Sequence, residues 1–549
     1  MGGTSIEDWY DEDFNLEGSE YVSESIISTN AQQVKNLTNT KTGFSDHAMA
    51  SFFGRVNYSY KGKYIFVSNL RYDGSSRFVG KRWGLFPSAS AAWRFSDEFF
   101  FDWAKPILTD AKFRASWGTN GNEQVGNYES INQYEIGGYY NGAIAVKQTS
   151  KLANVNLSWE STEQTNIGLD LTLLNGRVSV TAEYYIKKTK DLLADEVMPS
   201  ELGISSMRVN LGNIENRGIE LSISGYPIQT QDFSWQTTIN FSKNKNKVLK
   251  LSEGKGFLED GKYWIEEGSP LGQWFGQKYL GIYRYDESNA YVKNGDGSFG
   301  DRLVPVFHRD PNNYNNIIYG SNGKPILSHY ETQGGQKYDG EVGKMTANNI
   351  ISKGGDVIWD DRDHDGKIDD SDRRILGNGM PTWYLNWSNY LNYKNFSLSF
   401  SFYGSFGNKI YNKQRRDLLQ NSSSNMTPLA RDCYALWKYQ GHITPVYSSA
   451  NATKDVNNAR ELSSMFLEDG DYIRLTNARL AYRVDPKISK RFFVSDLQVY
   501  VYGNNLLTWT KYKGFDPSSI SNSNVLRPGN DSGRYPTARE IGLGLNINF

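Results

Sequence analysis

A single cysteine, Cys433, stands among 549 residues. No intrachain disulfide can form, and a metal held by several thiolates is excluded. Proline is scarce, 15 against 52 glycines, a balance that suits strands and turns better than helices. No apolar run approaches the ~18 residues that a membrane helix requires. Charge is balanced, with 60 Lys and Arg against 61 Asp and Glu and a formal net charge of -1. Nothing in that total draws the chain toward nucleic acid or an anionic surface. The five histidines, at 47, 308, 329, 364 and 442, are dispersed and show no zinc-protease spacing. A GxGxxG match at Asn294–Gly300 has no strand before it and no helix after it, so it does not read as a nucleotide site. Carboxylate pairs such as Glu266-Glu267 are not marked out as a glycosidase pair. Catalysis therefore has no anchor, and the expectation is a protein that is not an enzyme. The opening residues, MGGTSIEDWYDEDF, lack the basic-then-apolar pattern of a signal peptide. An export signal then lies upstream, or the protein stays in the cytoplasm.

What is abundant is aromatic: 14% of the chain, including 36 Tyr and 14 Trp, more than one ordinary core needs. The last residues show how they are arranged. Ile541, Leu543, Leu545, Ile547 and Phe549 fall on one face of a strand, and Gly542, Gly544, Asn546 and Asn548 on the other. A soluble sheet would bury the apolar face, whereas a transmembrane barrel turns it to lipid. About 9–11 residues suffice for a tilted strand to cross the hydrocarbon.

The pattern repeats along the chain. Met49–Tyr60 and Lys63–Tyr72 flank a tight turn at Lys61-Gly62. Phe86–Phe95 and Ala111–Thr119 follow. Thr165–Leu174 and Arg177–Lys187 flank Asn175-Gly176, the strongest two-residue hairpin signal. Arg217–Tyr226 pairs with Phe233–Lys243, and Thr382–Tyr393 with Phe396–Phe406, where Leu398, Phe400 and Phe402 are expected to face lipid. Tyr472–Val484, Leu497–Trp509 and Glu540–Phe549 complete about thirteen crossings. Short turns alternate with long connections, as in outer-membrane barrels. Residues 1–47 read as a polar segment, an extracellular loop or partial strand. Residues 48–549 read as the barrel region, with long extracellular loops at 245–381, 408–471 and 511–538. Gln273–Tyr285 looks strand-like, but as a lone crossing it would misplace the Lys394 turn, so it is assigned to the loop.

Several motifs carry a family resemblance over about residues 48–549. They are RYDGSSRF (Arg71–Phe78), WGLFPS (Trp83–Ser88), FRASWGTNGN (Phe113–Asn122), WESTEQTNIGLDL (Trp159–Leu171) and GNIENRGIEL (Gly212–Leu221). DDRDHDGKIDDSDRRILG (Asp360–Gly377), KGFDP (Lys513–Pro517) and YPTARE (Tyr535–Glu540) continue the set. Their order and spacing resemble the SusC-like (SusC/RagA) TonB-dependent transporters of the Gram-negative Bacteroidetes outer membrane. The resemblance implies an all-β fold, an antiparallel transmembrane β-barrel of about 22 strands, of which this chain is the C-terminal portion without the plug. It implies uptake of oligosaccharide, or of peptide in some members, with a SusD-like surface lipoprotein and force from TonB. It also implies that upstream strands and the plug come from the same or another chain. A siderophore or iron-chelate receptor of the same barrel class is the alternative. From another class, a surface glycan-binding or adhesion β-protein stays open. Outer-membrane lipid is the expected surrounding, and nucleic acid is not a partner.

The sharpest local motif is acidic. Asp361, Asp363, Asp365, Gly366, Asp369 and Asp372 occupy the ligand and glycine positions of a twelve-residue calcium loop, with the Lys367 carbonyl as the backbone ligand. Alternate carboxylates in a tight loop supply the oxygens that Ca²⁺ requires. Asp372 stands where a longer Glu is usual, and no helix pattern flanks the loop. An acidic turn held by its own hydrogen bonds is the alternative. Among loop aromatics, Tyr139, Tyr140, Trp264, Trp274, Phe275 and Tyr279 are candidates for stacking on substrate rings, against packing within loops or an interfacial girdle. Leu429–Tyr439 reads as a short amphipathic helix inside a long loop.

Overall fold

The computed structural model describes residues 1–21, 34–149, 151–198, 200–204, 206–210, 212–251, 254–419, 431–448, 458–489, 491, 493–518 and 524–549. Fourteen long strands form its framework. They are β1 (Gly2–Tyr21), β2 (Val34–Tyr60), β3 (Tyr64–Ser75), β4 (Trp83–Arg94), β5 (Leu108–Asn122), β6 (Glu160–Leu173) and β7 (Val178–Lys190). Then follow β8 (Gly212–Gln229), β9 (Phe233–Leu251), β10 (Trp383–Tyr393), β11 (Phe396–Phe406), β12 (Tyr472–Arg483), β13 (Asp496–Thr510) and β14 (Glu540–Asn548). Two compact units divide them. The first is Met1–Pro227, Thr238–Lys255 and Glu266–Ser269; the second is Ile228–Thr237, Gly256–Ile265 and Pro270–Phe549. In the first, β1 to β7 and most of β8 and β9 lie side by side in sequence order; in the second, β10 to β14 do the same. Among the described residues, no helix is long and apolar enough to cross a membrane.

The turns explain the meander. Lys61 and Gly62 both take positive φ, as do Leu174, Asn175 and Gly176. That left-handed backbone matches the twist of antiparallel strands and returns the chain along its neighbour. Tyr60 then faces Tyr64, and Leu173 faces Val178. Lys394, also at positive φ, sets Tyr393 against Phe396.

Each ladder has one apolar and one polar face. On β2 and β3 the pairs Phe52–Tyr72, Tyr58–Phe66 and Tyr60–Tyr64 share a face, and all six side chains are exposed. On β13 and β14, Val499 pairs with Leu545 and Val501 with Leu543 on one face, and Leu543 is 83% exposed. On the other face the rings of Tyr500 and Tyr502 lie across Gly544 and Gly542, where a Cβ would come within 2.2 and 2.6 Å of them. Leu398 is exposed, while Phe400 and Phe402 are half-buried against the Trp387 ring, centroids 6.1 and 5.7 Å away. Ser401 on the opposite face hydrogen-bonds Ser388, 3.0 Å. Continuous rows of exposed Phe, Leu, Val and Tyr are untenable in water and are what lipid requires.

Three readings from sequence change. Within residues 1–47, read as a loop or partial strand, the described residues 2–21 and 34–47 are long strand: β1 pairs with β2 from Gly2–Gly54 to Tyr21–Val34. The crossing strands number fourteen among the described residues rather than about thirteen. At 27 residues β2 far exceeds the ~9–11 that cross hydrocarbon, so its outer part and β1 alternate poorly and escape a hydropathy pattern. The ladder needs only backbone there. Third, the long connections are folded. Gln273–Gly276 and Tyr279–Ile282, from the ambiguous segment, pair with Arg374–Asn378 and Val357–Trp359 respectively. Tyr263, Trp274, Tyr283, Trp359, Tyr411, Tyr447 and Phe466, drawn from two insertions, share one buried core. The third insertion joins them through Asn530–Asp531, which pairs with Tyr411–Asn412, and through the Pro528 carbonyl, which accepts from the Tyr263 hydroxyl at 3.0 Å. Of the expected helix at 429–439, residues 429 and 430 lie outside the described residues. Arg431–Ala435 is a single 3-10 turn.

Leu543 sits mid-strand on the lipid face. Leu543→Arg should destabilise the protein by roughly 2–4 kcal/mol, read from urea unfolding in lipid vesicles; Asn546→Ser on the opposite face should change little.

Candidate functional site

The acidic loop hangs between two short strands of the insertion, Val357–Trp359 and Arg374–Asn378. His364 and Gly366 take positive φ and turn the chain back on itself. A Cβ on Gly366 would lie 2.4 Å from the Phe299 ring, so glycine is needed for close approach as well as for φ. The fold brings carboxylate oxygens of Asp361, Asp363 and Asp372 within 4.8 Å of one another. Asp372 is fully buried, and its two oxygens accept from the Arg362 N–H at 2.7 Å and the Asp369 N–H at 2.9 Å. Asp361 is 9% exposed; its Oδ2 accepts from the Gly366 N–H at 2.9 Å, and its buried Oδ1 has no partner. The other expected ligands are placed differently. Asp365 accepts from the Lys367 N–H, 2.8 Å, and Asp369 from the Ser371 N–H and hydroxyl, 2.8 and 2.7 Å. Lys367 lies in a short strand parallel to Thr346–Ala347.

Electrostatics follow burial. Burial first, then the Asp372, Asp365 and Asp363 charges, push the Asp361 carboxyl up to about 6. Burial also raises Asp372. The Ser371 hydroxyl holds Asp363 and Asp369 below the usual carboxylate range.

The loop aromatics separate by burial. Trp274 is fully buried and its indole N–H donates to the Lys409 carbonyl, 3.1 Å. It is a core residue and cannot meet a substrate, because the insertion closes over it. Trp264 stacks on Phe275, centroids 5.2 Å apart, with the Arg373 guanidinium 5.1 Å over the Phe275 ring. The Tyr279 hydroxyl donates to the Pro445 carbonyl, 2.8 Å. Tyr139 is 80% exposed on the hairpin of Tyr134–Tyr140 and Ala143–Gln148, which also holds the backbone of Tyr140. The GxGxxG match is a hairpin tip, where Asp296 accepts from the Ser298 N–H at 2.9 Å.

The structure also shows what five quoted motifs do. Phe78, Phe86 and Trp159 meet in one small core, with Trp159 5.4 Å from each of the other two rings, and the Trp159 N–H donates to the Arg82 carbonyl. In the second unit, Arg474 near the start of β12 donates to Asp516 of KGFDP at 2.5 Å, to Thr508 at 2.9 Å and to Ser518 at 3.0 Å. The Thr537 N–H of YPTARE donates to the other Asp516 oxygen, 3.1 Å. Both members of the ion pair are buried. The motif letters marked these places, but their partners lie tens of residues away in the chain.

The family model described as TonB dependent receptor-like, beta-barrel matches residues 3–311. The chain belongs to this family. It is an outer-membrane protein of the antiparallel transmembrane barrel class, in a family of receptors and transporters rather than enzymes. TonB-dependent receptor P39 of Formosa agariphila is 37% identical over 554 residues, covering 100% of this chain and 51% of that protein. TonB-dependent receptor SusC of Bacteroides thetaiotaomicron is 28% identical, over 92% of this chain and 44% of that one. The structure of the RagAB peptide transporter superposes with a TM-score of 0.76 at 21% identity, over 100% of this chain and 53% of that one. The chain thus spans about half the length of the curated relatives it matches.

In this receptor barrel the Arg474–Asp516 pair generates a pH prediction. Burial alone would raise Asp516, but the Ser518 N–H and hydroxyl, Arg474 and Thr537 outweigh it and hold the carboxyl down to about 2. A depressed carboxyl contributes stability above its unfolded value of ~3.9, lost as pH falls toward the folded one. The 511–538 insertion should therefore become protease-sensitive between about pH 4 and 2. Asp516→Asn, which strands a buried Arg474, should cost about 3–5 kcal/mol at neutral pH and remove that transition. Pepsin digestion followed by mass spectrometry reads both.

Proposed function

We propose that this chain is the barrel portion of an importer that takes up oligosaccharide across the outer membrane, driven by TonB and assisted by a SusD-like surface lipoprotein. The observation that carries the reading is similarity to SusC over 92% of the chain, supported by that to receptor P39 over all of it. Two features of the fold agree. Within the described residues β1 is paired on its β2 side and β14 on its β13 side, and a bare strand edge in hydrocarbon costs several kcal/mol per unsatisfied group. Fourteen strands would leave about eight of a barrel of about 22 to come from the same or another polypeptide, together with the plug and the TonB contact. In the second unit the long insertions meet the strands at the ends opposite the Lys394 turn, and we read that end as the extracellular one. The exposed Tyr139, on a hairpin of the first unit, is the candidate to stack on a sugar ring.

Peptide is the second reading. It is favoured by the likeness to the RagAB peptide transporter, which at 21% identity speaks for fold.

Deleting the gene and restoring it on a plasmid separates the two. Growth on oligosaccharide mixtures should fail on deletion and return on restoration, while growth on peptides is unchanged. Loss confined to peptides would transfer the assignment to the second reading, and loss of neither would remove both. Tyr139→Ala should weaken oligosaccharide binding several-fold without changing the melting temperature; equal binding would remove Tyr139 from the site.

A further inference from the structure

We infer that the loop Asp361–Asp372 is a binding site for a hard divalent cation, of the Ca²⁺ class, that clamps the folded insertions of the second unit together. Three carboxylates, Asp361, Asp363 and Asp372, converge. Convergence alone is common on acidic surfaces. What sets this set apart is Asp361, nine-tenths buried with an oxygen that no protein group satisfies. A buried carboxylate oxygen without a donor is costly, and a cation removes that cost. The nearby cation, Arg460, acts on Asp372 only from a distance and donates to the Ile368 carbonyl. Asp360 is paired with Arg374 and Asp370 with Arg373, whereas no Lys or Arg forms an ion pair with Asp361, Asp363 or Asp372 among the described residues. The donors are all oxygens on a short, glycine-turned loop, the set that suits Ca²⁺ over softer metals. Shielding the mutual repulsion of these carboxylates is the same stabilisation seen from the other side.

The clamp follows from what the loop backbone holds. The Phe299 N–H donates to the His364 carbonyl at 2.8 Å and the Thr346 N–H to the Gly366 carbonyl at 3.0 Å. Gln277 donates to the Asp369 carbonyl, and Arg460 to the Ile368 carbonyl at 3.0 Å. Four segments far apart in sequence are thus fastened to one small loop. With the carboxylates neutralised, the loop keeps its shape and the four segments stay fastened; emptied, their anchor loosens. The role is structural, and it holds whichever cargo the barrel carries.

The test uses the full-length protein in detergent, stripped with chelator and titrated with CaCl₂ by calorimetry, and with Tb³⁺ excited through Trp359, two residues from Asp361. The wild type should bind one ion, give Tb³⁺ emission that Ca²⁺ quenches, and melt at a higher temperature with Ca²⁺ than with chelator. Asp361→Asn should weaken binding at least tenfold. Should that variant fail to fold, Asp363→Asn, at an exposed position, should show the same loss in a folded protein. Asp370→Asn, outside the converging set, should bind as the wild type does. No heat and no Tb³⁺ emission from the wild type, or wild-type affinity in Asp363→Asn, would overturn the inference.

Discussion

Hydrocarbon offers no partner for a backbone N–H or C=O, so every such group in the membrane must be satisfied by the chain itself. The antiparallel ladders from β1 to β9 and from β10 to β14 meet that demand, and much else follows from it. Strands that return on themselves need tight turns, hence positive φ at Lys61, Asn175 and Lys394. Strands that face lipid on one side must alternate, hence the row Ile541, Leu543, Leu545 against Gly542, Gly544, Asn546. Gly542 and Gly544 do a second job, because the Tyr502 and Tyr500 rings occupy the space a side chain would take.

The insertions obey a different physics. Freed from lipid, they bury aromatic side chains against one another like a soluble domain. Tyr263, Trp274, Tyr411 and Phe466 supply that core, and their hydroxyl and indole groups find carbonyls, as Tyr263 does at Pro528 and Trp274 at Lys409. This answers the question raised by the aromatic content. Part of the Tyr and Trp faces lipid, and part fills the core of the insertions. Polar knots then join the insertions to strand ends. Arg474 is the clearest, a strand residue whose guanidinium is held by KGFDP while YPTARE holds the same carboxylate from the other side.

The period-two alternation and the turn chemistry were legible in the sequence because both are local. A strand in lipid needs an apolar residue at every second position, and a tight turn needs Asn, Gly or Lys at a particular φ. From these the fold class and most of β2 to β14 follow, as does the acidic loop, whose spacing is itself the signal. β1 escaped because much of its ladder runs beside the outer part of β2, where only backbone pairing is needed and composition carries no mark. Both readings of Trp274 stayed open for a related reason: an aromatic in a loop looks the same whether it meets solvent or a core. Which of Asp361, Asp363, Asp365, Asp369 and Asp372 converge, and which instead cap their own turn, depended on where Phe299, Thr346 and Arg460 met the loop. Those contacts span tens to about a hundred residues. Packing at that distance is decided by the whole folded unit, so only the tertiary structure could select them.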